Sequence, residues 1–476
     1  MELHKNLSLA LSGAALLSLF SFAGCNTAKE RAQAPQNSTP NILIINIDDM
    51  GWRDVGFMGS EYYETPNLDQ LAGQGIVFTN AYAAAANCAP SRACLISGQW
   101  TPRHGIYTVG SSERGKSKDR KLIPTPNTEY LDDEFLLIPE VLKKAGYTTC
   151  HAGKWHLSDD PLEKGFDVNI GGSHAGNPGS YYPPYRNVPS LKAPSEDYYL
   201  TDLVMDKTLD FLRTVEEEPF FLYYSPYAVH TPIQPVTDLL EKYENKTASN
   251  GQGNAAYATM VENLDRQVGR LIDLLESSGK LEHTFILFTS DNGGLYPISK
   301  QWPLRAGKGA YYEGGIREPM FAVWSGKIQA GRQSDLPVTN LDFFPTILEV
   351  AGVEKPETLN LDGESLLPVL IGEGTIPDRA LFWHFPVYLE GGNQETQDPI
   401  FRTRPGSAIR LGDWKLIEYF ENDDLELYHL KDDIGEENNL AIANPDKRDE
   451  LHQLLIDWRV KIQAPVPSTP NADYQE

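Results

Sequence analysis

Basic residues are scarce in this chain. Its 476 residues carry 41 Lys and Arg against 66 Asp and Glu, a formal charge of −25. Nucleic acids and acidic membrane surfaces require basic footprints, so neither is expected as a partner. Cysteine is scarce as well, with four in all: Cys25, Cys88, Cys94 and Cys150. Cys94 and Cys150 are read either as an export-compartment disulfide or as two buried free thiols. No internal repeat is evident. With 41% hydrophobic and 22% charged residues, the composition is neither disordered nor membrane-spanning. The length favours one large domain and a smaller one, with material for a deep cleft.

The N-terminus departs from this globular pattern. Lys5 precedes an apolar run from Leu7 to Ala23 that closes in Phe22-Ala23-Gly24-Cys25. That order reads as a signal peptide over residues 1–24 ending in a lipobox, which predicts cleavage before Cys25 and lipid attachment to its thiol. Residues 26–40, NTAKERAQAPQNSTP, have almost no large apolar side chains, so 25–40 is predicted to be a flexible tether. The expected location is the periplasm or cell surface, with membrane contact only through the lipid anchor.

From Asn41 onward, short apolar runs end in polar residues: 41–47 at Asp48-Asp49, 284–290 at Asp291-Asn292-Gly293-Gly294, and 220–224 before His230. A weaker run near Tyr147 to Cys150 leads to Lys154 and His156. Continuous runs of this length are strands buried on both faces of a mostly parallel sheet. Helical patterns at Leu136–Ala145, Tyr199–Val215 and Asn254–Leu275 alternate with them, giving an α/β fold with a large mixed, mostly parallel sheet flanked by helices. In such sheets ligands bind beyond the carboxyl ends of the strands, so these polar endings are predicted to converge. After about Gly372 the pattern changes to short stretches at 380–385, 407–410 and 414–419 and a helix at 447–462. We therefore expect a catalytic domain at 41–371 and a small antiparallel α+β subdomain at 372–476. The acidic stretch from Glu421 to Glu437 is read as a solvated surface.

Asp48, Asp49, Asp291 and Asn292 offer hard oxygen ligands at two strand ends, suited to calcium or magnesium; an all-protein oxygen cage favours calcium. Cys88 stands before Pro90 and an apolar stretch, so it is expected at a helix N-terminus, where N–H donors and Arg92 favour a tetrahedral oxyanion. Cys88-Ala89-Pro90-Ser91-Arg92 with Leu95-Ile96-Ser97-Gly98, Gly153-Lys154-Trp155-His156-Leu157, Asp291-Asn292-Gly293, Gly307-Lys308-Gly309 and Tyr312-Glu313-Gly314-Gly315-Ile316-Arg317 occur in that order. Through these segments the chain resembles the formylglycine-dependent type I sulfatases of the alkaline phosphatase superfamily, and bacterial polysaccharide sulfatase lipoproteins among them.

The resemblance implies a sulfuric ester hydrolase in which a maturating, formylglycine-generating enzyme converts Cys88 to formylglycine. One hydroxyl of its hydrate would attack sulfur and the other would expel sulfate. Asp48, Asp49, Asp291 and Asn292, with modified Cys88, would bind one calcium ion. Arg92 would steady the hydrate, Lys154 and Lys308 would hold sulfate oxygens, His156 would act as base and His230 as acid. The lysines would supply the local positive charge that an acidic chain needs to draw in an anion.

Ser97-Gly98-Gln99 and Ser158 depart from the family's Thr-Gly-Arg and Gly, and His104 is left as a candidate for the pocket wall. In the C-terminal part His384, Arg402 and Arg404 are candidates for contacting substrate, whereas Trp383 is expected to pack in the core. The expected substrate is a sulfated polysaccharide or its oligosaccharides: an algal galactan such as carrageenan, ulvan, or a glycosaminoglycan. Two alternatives stand beside it, a phosphodiesterase or phosphonate monoester hydrolase on the same scaffold, and a non-catalytic glycan-binding surface lipoprotein.

Overall fold

A computed structural model describes residues 39–216 and 218–475. The expected signal peptide, Cys25 and all but the last two residues of the expected tether lie outside the described residues. The large sheet is built from β1 (Asn41–Ile47), β2 (Ile76–Tyr82), β3 (Thr148–Gly153), β4 (Val168–Ile170), β5 (Phe220–Ser225), β6 (Thr284–Ser290), β7 (Arg317–Trp324), β8 (Arg332–Ser334) and β9 (Val338–Thr339). Its order is β4-β3-β5-β1-β6-β7-β2-β8, with β9 also on β2. The run from β4 to β6 is parallel, and β7 is antiparallel to both β6 and β2.

Strand β1 shows why this sequence makes a buried central strand. Ile42, Leu43, Ile44 and Ile45 are all fully buried. Leu43, Ile45 and Ile47 point to one core, with the helices at 66–72, 200–214 and 255–277; Ile42 and Ile44 point to the other, with the helices at 88–97, 138–144 and 343–351. This is the two-residue alternation of an extended chain serving two apolar layers. Each such side chain contributes roughly 1.5–3 kcal/mol by its burial. The strand stops where Asp48 and Asp49 cannot remain between dry layers. The in-register pairing of Ile47 with Ser290 then brings them beside Asp291 and Asn292.

The C-terminal part holds β10 (Leu381–Phe385), β11 (Leu389–Glu390), β12 (Phe401–Thr403), β13 (Gly406–Leu411), β14 (Trp414–Tyr419) and β15 (Asp424–His429). An antiparallel sheet β10-β13-β14-β15 forms there, and β11 pairs with β12. Leu451, Leu455 and Trp458 of the helix Pro445–Ile462 cover one face of the sheet. The other face packs Trp383, Phe385 and Ile417 against Tyr82, Tyr107 and Ile316. Trp383 is a core residue, as expected.

The acidic stretch is the expected solvated surface only in part: Asp423, Asp424, Asp432 and Glu437 are exposed, but other residues of it are built into the fold. It contains β15, and Glu436 is fully buried against Lys415, 2.8 Å away, which also binds Glu313 at 2.9 Å. Arg317 is a further partner of Glu313 at 3.1 Å. Pairing with cations distant in sequence is what makes the burial tolerable. Cys94 and Cys150 are free buried thiols, so the disulfide reading is set aside.

Candidate active site

Four parallel strands deliver side chains to one edge of the sheet. Beyond β1, Asp48 binds the Lys154 Nζ through both carboxylate oxygens at 2.8 Å, and Asp49 binds the Lys308 Nζ at 2.6 and 2.9 Å. Beyond β6, Asp291 accepts from Arg92 Nε at 2.7 Å and from the Asp49 backbone N–H at 3.1 Å. The Asn292 amide donates to Asp49 at 2.8 Å. Beyond β3 come Lys154 and His156, and beyond β5 comes His230. The predicted convergence is therefore present.

Local backbone geometry makes it possible. Gly153 ends β3 with φ of 109°, and a Cβ there would lie 2.0 Å from the Ser225 carbonyl, so only glycine lets the chain turn Lys154 inward. Asp49 and His156 hold positive φ of 59° and 71°, a conformation that costs non-glycine residues roughly 1–3 kcal/mol and clusters at functional sites.

Cys88 is the first residue of the helix Cys88–Ser97, capped by the Asn87 side chain, which accepts from the Cys88 N–H at 3.1 Å; Gly98 ends the helix in the left-handed region. The Cys88 thiol is buried, 3.8 Å from the Lys308 Nζ. Arg92, one turn along, donates to Asp291, to the Lys154 carbonyl at 2.8 Å and to the Ser225 hydroxyl. It ties three strand ends to the helix, a bracing function beyond its expected contact with residue 88. Asn340 braces the approach to the helix by donating to Ser91 Oγ at 2.9 Å and accepting from the Ala84 N–H at 3.0 Å.

Burial alone would raise the Asp49 carboxyl, but Lys308, His230 and Lys154 reverse this and hold it below the usual carboxylate range. Asp291 is pushed up to about 6 by burial, with Arg92 opposing and the Asp48 charge assisting. Lys308 is held firmly protonated, since Asp49 and Cys88 outweigh its desolvation. Burial drives His156 well below the ordinary histidine value, helped by Lys154 and Arg92; its Nδ1 has no partner. His230 is pushed down to about 3 by burial and Lys308, with Asp49 opposing. Its Nδ1 faces the Thr231 carbonyl at 2.7 Å. The Nδ1 proton is therefore committed, and a second proton would enter at Nε2, 3.6 Å from Asp49 Oδ2.

Asp48, Asp49 and His230 can offer ligand atoms within 4.8 Å of one another. The sequence reading placed no histidine among the ligands and gave His230 the role of acid; the structure brings its ring to the same cluster. The remaining donors are oxygens, and the Asn292 carbonyl oxygen is buried without a hydrogen-bond donor. A buried amide oxygen lacking a donor beside three carboxylates fits a hard cation.

The substrate-contact expectations fare unevenly. Arg402 reaches the site, donating to the Lys308 carbonyl at 3.3 Å. His384 does not: it is buried, accepting from the Ser407 hydroxyl at 2.7 Å and donating to the Pro465 carbonyl at 2.8 Å, so both ring nitrogens are used within the C-terminal part. His104 is also internal, with the Ile106 N–H on Nδ1 at 3.2 Å and the Cys94 sulfur 3.4 Å from Nε2. Arg404 lies on the Tyr419 ring and pairs with Asp398 and Glu421. These three are structural because their polar atoms are spent on the protein.

Sequence reasoning missed His174 and Glu129. Both line a cavity of about 230 Å³ shared with Ala89 and His156. His174 stacks on Tyr130 with ring centroids 4.2 Å apart, and its own ring lies 5.9 Å from that of His156. Glu129 follows no strand and sits in no motif, and His174 follows β4, whose three residues are too few to read as a strand from sequence; a histidine near Gly171-Gly172 was the one signal.

The sulfatase family model matches residues 40–353, and a model of the C-terminal part of N-sulphoglucosamine sulphohydrolase matches 307–461. A sulfatase of Formosa agariphila is 32% identical over 92% of this chain and 92% of its own length. Human N-acetylgalactosamine-6-sulfatase is 31% identical over 92% of this chain and 88% of its own. The crystal structure of Ps i-CgsB in complex with k-i-k-neocarrahexaose superposes with a TM-score of 0.74 at 29% identity, covering 91% of this chain and 95% of that one. The chain thus belongs to the type I sulfatase family and is a sulfuric ester hydrolase.

Proposed function

We propose that the enzyme removes sulfate from a sulfated polysaccharide or its oligosaccharides, with galactose-type sugars foremost. The observation that carries this reading is the juxtaposition of Cys88, the Lys308 ammonium 3.8 Å away, and the cavity reaching from Ala89 past His156. An anion is held where a sugar can follow it. Relatives named for N-acetylgalactosamine-6-sulfate and a similar structure bound to a carrageenan hexasaccharide support the sugar class.

Asp48, Asp49, Asp291 and Asn292 are the residues suited to calcium, which supplies charge that polarises a sulfate ester and eases loss of a proton from an attacking hydroxyl. Conversion of Cys88 by a formylglycine-generating enzyme supplies, as the hydrate, two hydroxyls on one carbon in place of a thiol. Around these, Lys154 and Lys308 hold sulfate oxygens in a buried setting where fixed charge is worth most. His156, neutral because it is buried beside two cations, is suited to accept a proton. His230 is suited to give one to the departing sugar oxygen. A sulfate anion near Nε2 opposes the depression caused by Lys308 and raises the proton affinity of the ring, the direction an acid requires. The segment from Lys5 to Cys25 supports export and anchoring of the protein at the membrane by lipid on Cys25.

The test is a panel of defined sulfate esters, 4-nitrophenyl sulfate, galactose and N-acetylgalactosamine sulfates, and carrageenan and glycosaminoglycan oligosaccharides, assayed with calcium beside a phosphodiester. Faster release from the sulfated sugars supports the reading; a preference for the phosphodiester refutes it.

A further inference from the structure

A second and larger cavity, about 640 Å³, opens beside the site, and none of the residues assigned above forms its floor. One wall is the loop between β6 and β7, which includes Tyr296, Lys300 and Trp302; the other is the turn between β11 and β12, with Gln394 and Gln397. Both walls are tied to the catalytic centre. The first loop is pinched shut at its base, where the Lys308 N–H donates to the Gly294 carbonyl at 3.0 Å. Ala306 lines the cavity two residues before Lys308, so their Cα atoms lie within about 7 Å of one another. The second wall continues into β12, whose Arg402 bonds the Lys308 carbonyl.

The lining has the chemistry of a sugar seat. Trp302 is 60% exposed, with the Arg53 guanidinium 5.7 Å from its ring centroid. The open indole offers a flat apolar face with a polar N–H edge, a surface on which a sugar ring can lie. The exposed side-chain amides of Gln394 and Gln397 can each donate and accept, matching vicinal hydroxyls. Lys300 adds an exposed cation. Arg305 is 92% buried on this lining, lies 3.7 Å over Tyr312, and donates to the Glu395 and Glu436 carbonyls, yet its Nη2 has no partner. Glu395 and Glu437 also line the cavity and offer acceptors for sugar hydroxyls, which confines any anion to the side of Lys300 and Trp302.

We propose that this cavity is a second sugar subsite, holding an anionic pyranose of the same polymer on Trp302 beside Lys300 while another residue of that polymer presents its sulfate at Cys88. The proposal rests on the sulfated-glycan reading above. It makes the enzyme a reader of chain context rather than of a single sulfated monosaccharide.

The experiment compares wild type, Trp302→Ala and Trp302→Tyr. The measured ratio is kcat/KM on a hexasaccharide, neocarrahexaose sulfate or chondroitin 6-sulfate, over kcat/KM on 4-nitrophenyl sulfate. Losing one aromatic platform should lower the ratio about tenfold, the equivalent of an aromatic contact near 1.4 kcal/mol, with recovery in Trp302→Tyr. Calorimetric titration of the same hexasaccharides into the inactive Cys88→Ala protein, with and without Trp302→Ala, should show a matching loss of affinity. Lys300→Ala should reduce the salt dependence of binding, and carrageenan against chondroitin separates a sulfate from a carboxylate as the preferred anion. A ratio and an affinity within twofold of wild type, or failure of both hexasaccharides to bind, overturns the subsite. Absence of sulfate release from every ester would instead overturn the reading of the catalytic centre, while the titrations would still decide the subsite.

Discussion

Replacing Lys308 by alanine is the most informative perturbation of the catalytic centre. The ammonium lies 2.6 Å from Asp49 and 3.8 Å from the atom at the head of residue 88. At an effective dielectric constant near 20, a unit charge at that distance from a sulfate oxygen contributes about 4 kcal/mol. Part of this is already felt by the bound ester, so the loss should divide between KM and kcat. Two to three decades in kcat/KM is the expected range, matching what removal of one preorganised donor costs elsewhere. Lys308→Ala also leaves Asp49 without its closest cation, so calcium should bind more tightly to the variant even as turnover falls. Steady-state kinetics on 4-nitrophenyl sulfate with a parallel calcium titration reads both effects. A fall in kcat/KM of less than fivefold, or calcium affinity weakened together with turnover, would refute the assignment of Lys308 as a sulfate-holding cation that competes with the metal for Asp49.

Chelation should abolish turnover and lower the thermal midpoint; saturating calcium at about a hundred times Kd stabilises by about 2.7 kcal/mol, and Asn292→Ala should lose most of that increment in differential scanning fluorimetry. Lys415→Met strands the buried carboxylates of Glu313 and Glu436 and should cost roughly 3–5 kcal/mol in urea unfolding, while Glu313→Gln, Lys415→Met and Glu436→Gln together should cost less. Burial pushes His104, His151 and His384 down to about 3 each, His384 against its bond to Pro465 and His151 against its bond to Lys154. Their unfolded forms take up protons first, near pH 6.5, so each contributes stability that is full above that pH and is lost towards pH 5, opposed by buried carboxyls such as Asp265 and Asp291, raised to about 6, which gain protons in the folded state. Urea unfolding of wild type and His384→Gln between pH 7 and 5 isolates one such group: the difference in slope should approach about 1.4 kcal/mol per unit near pH 5, and equal slopes would refute it. Because His384 is internal, His384→Ala should change kcat/KM on glycan and aryl sulfate by the same factor.

Much of the fold was legible because burial on both faces forces a continuous apolar strand, and a strand end forces polarity. Ile42 to Ile47 followed by Asp48-Asp49 states both facts in eight residues. The catalytic centre was legible for the same reason, since its acids and lysines sit at those ends or in motifs of fixed spacing. Side chains whose partners are remote were not. His384 and Arg404 stand beside aromatic and basic neighbours in sequence, yet their partners, Pro465, Ser407 and Glu421, come from turns and strands that only the folded chain assembles. Glu436 looks like one more surface acid until Lys415, two strands away, is brought beneath it. His174 and Trp302 lie in loops without periodicity, where sequence gives no face to assign.

The measurement closest to the central claim is sulfate release from a defined sulfated galactoside, followed by ion chromatography, for protein produced with a formylglycine-generating enzyme and for its Cys88→Ala counterpart, with mass analysis of the peptide bearing residue 88. The account predicts sulfate release only from protein in which the thiol has been replaced by an aldehyde, and none from Cys88→Ala. Comparable release from Cys88→Ala, or from protein whose residue 88 is an intact thiol, would contradict it.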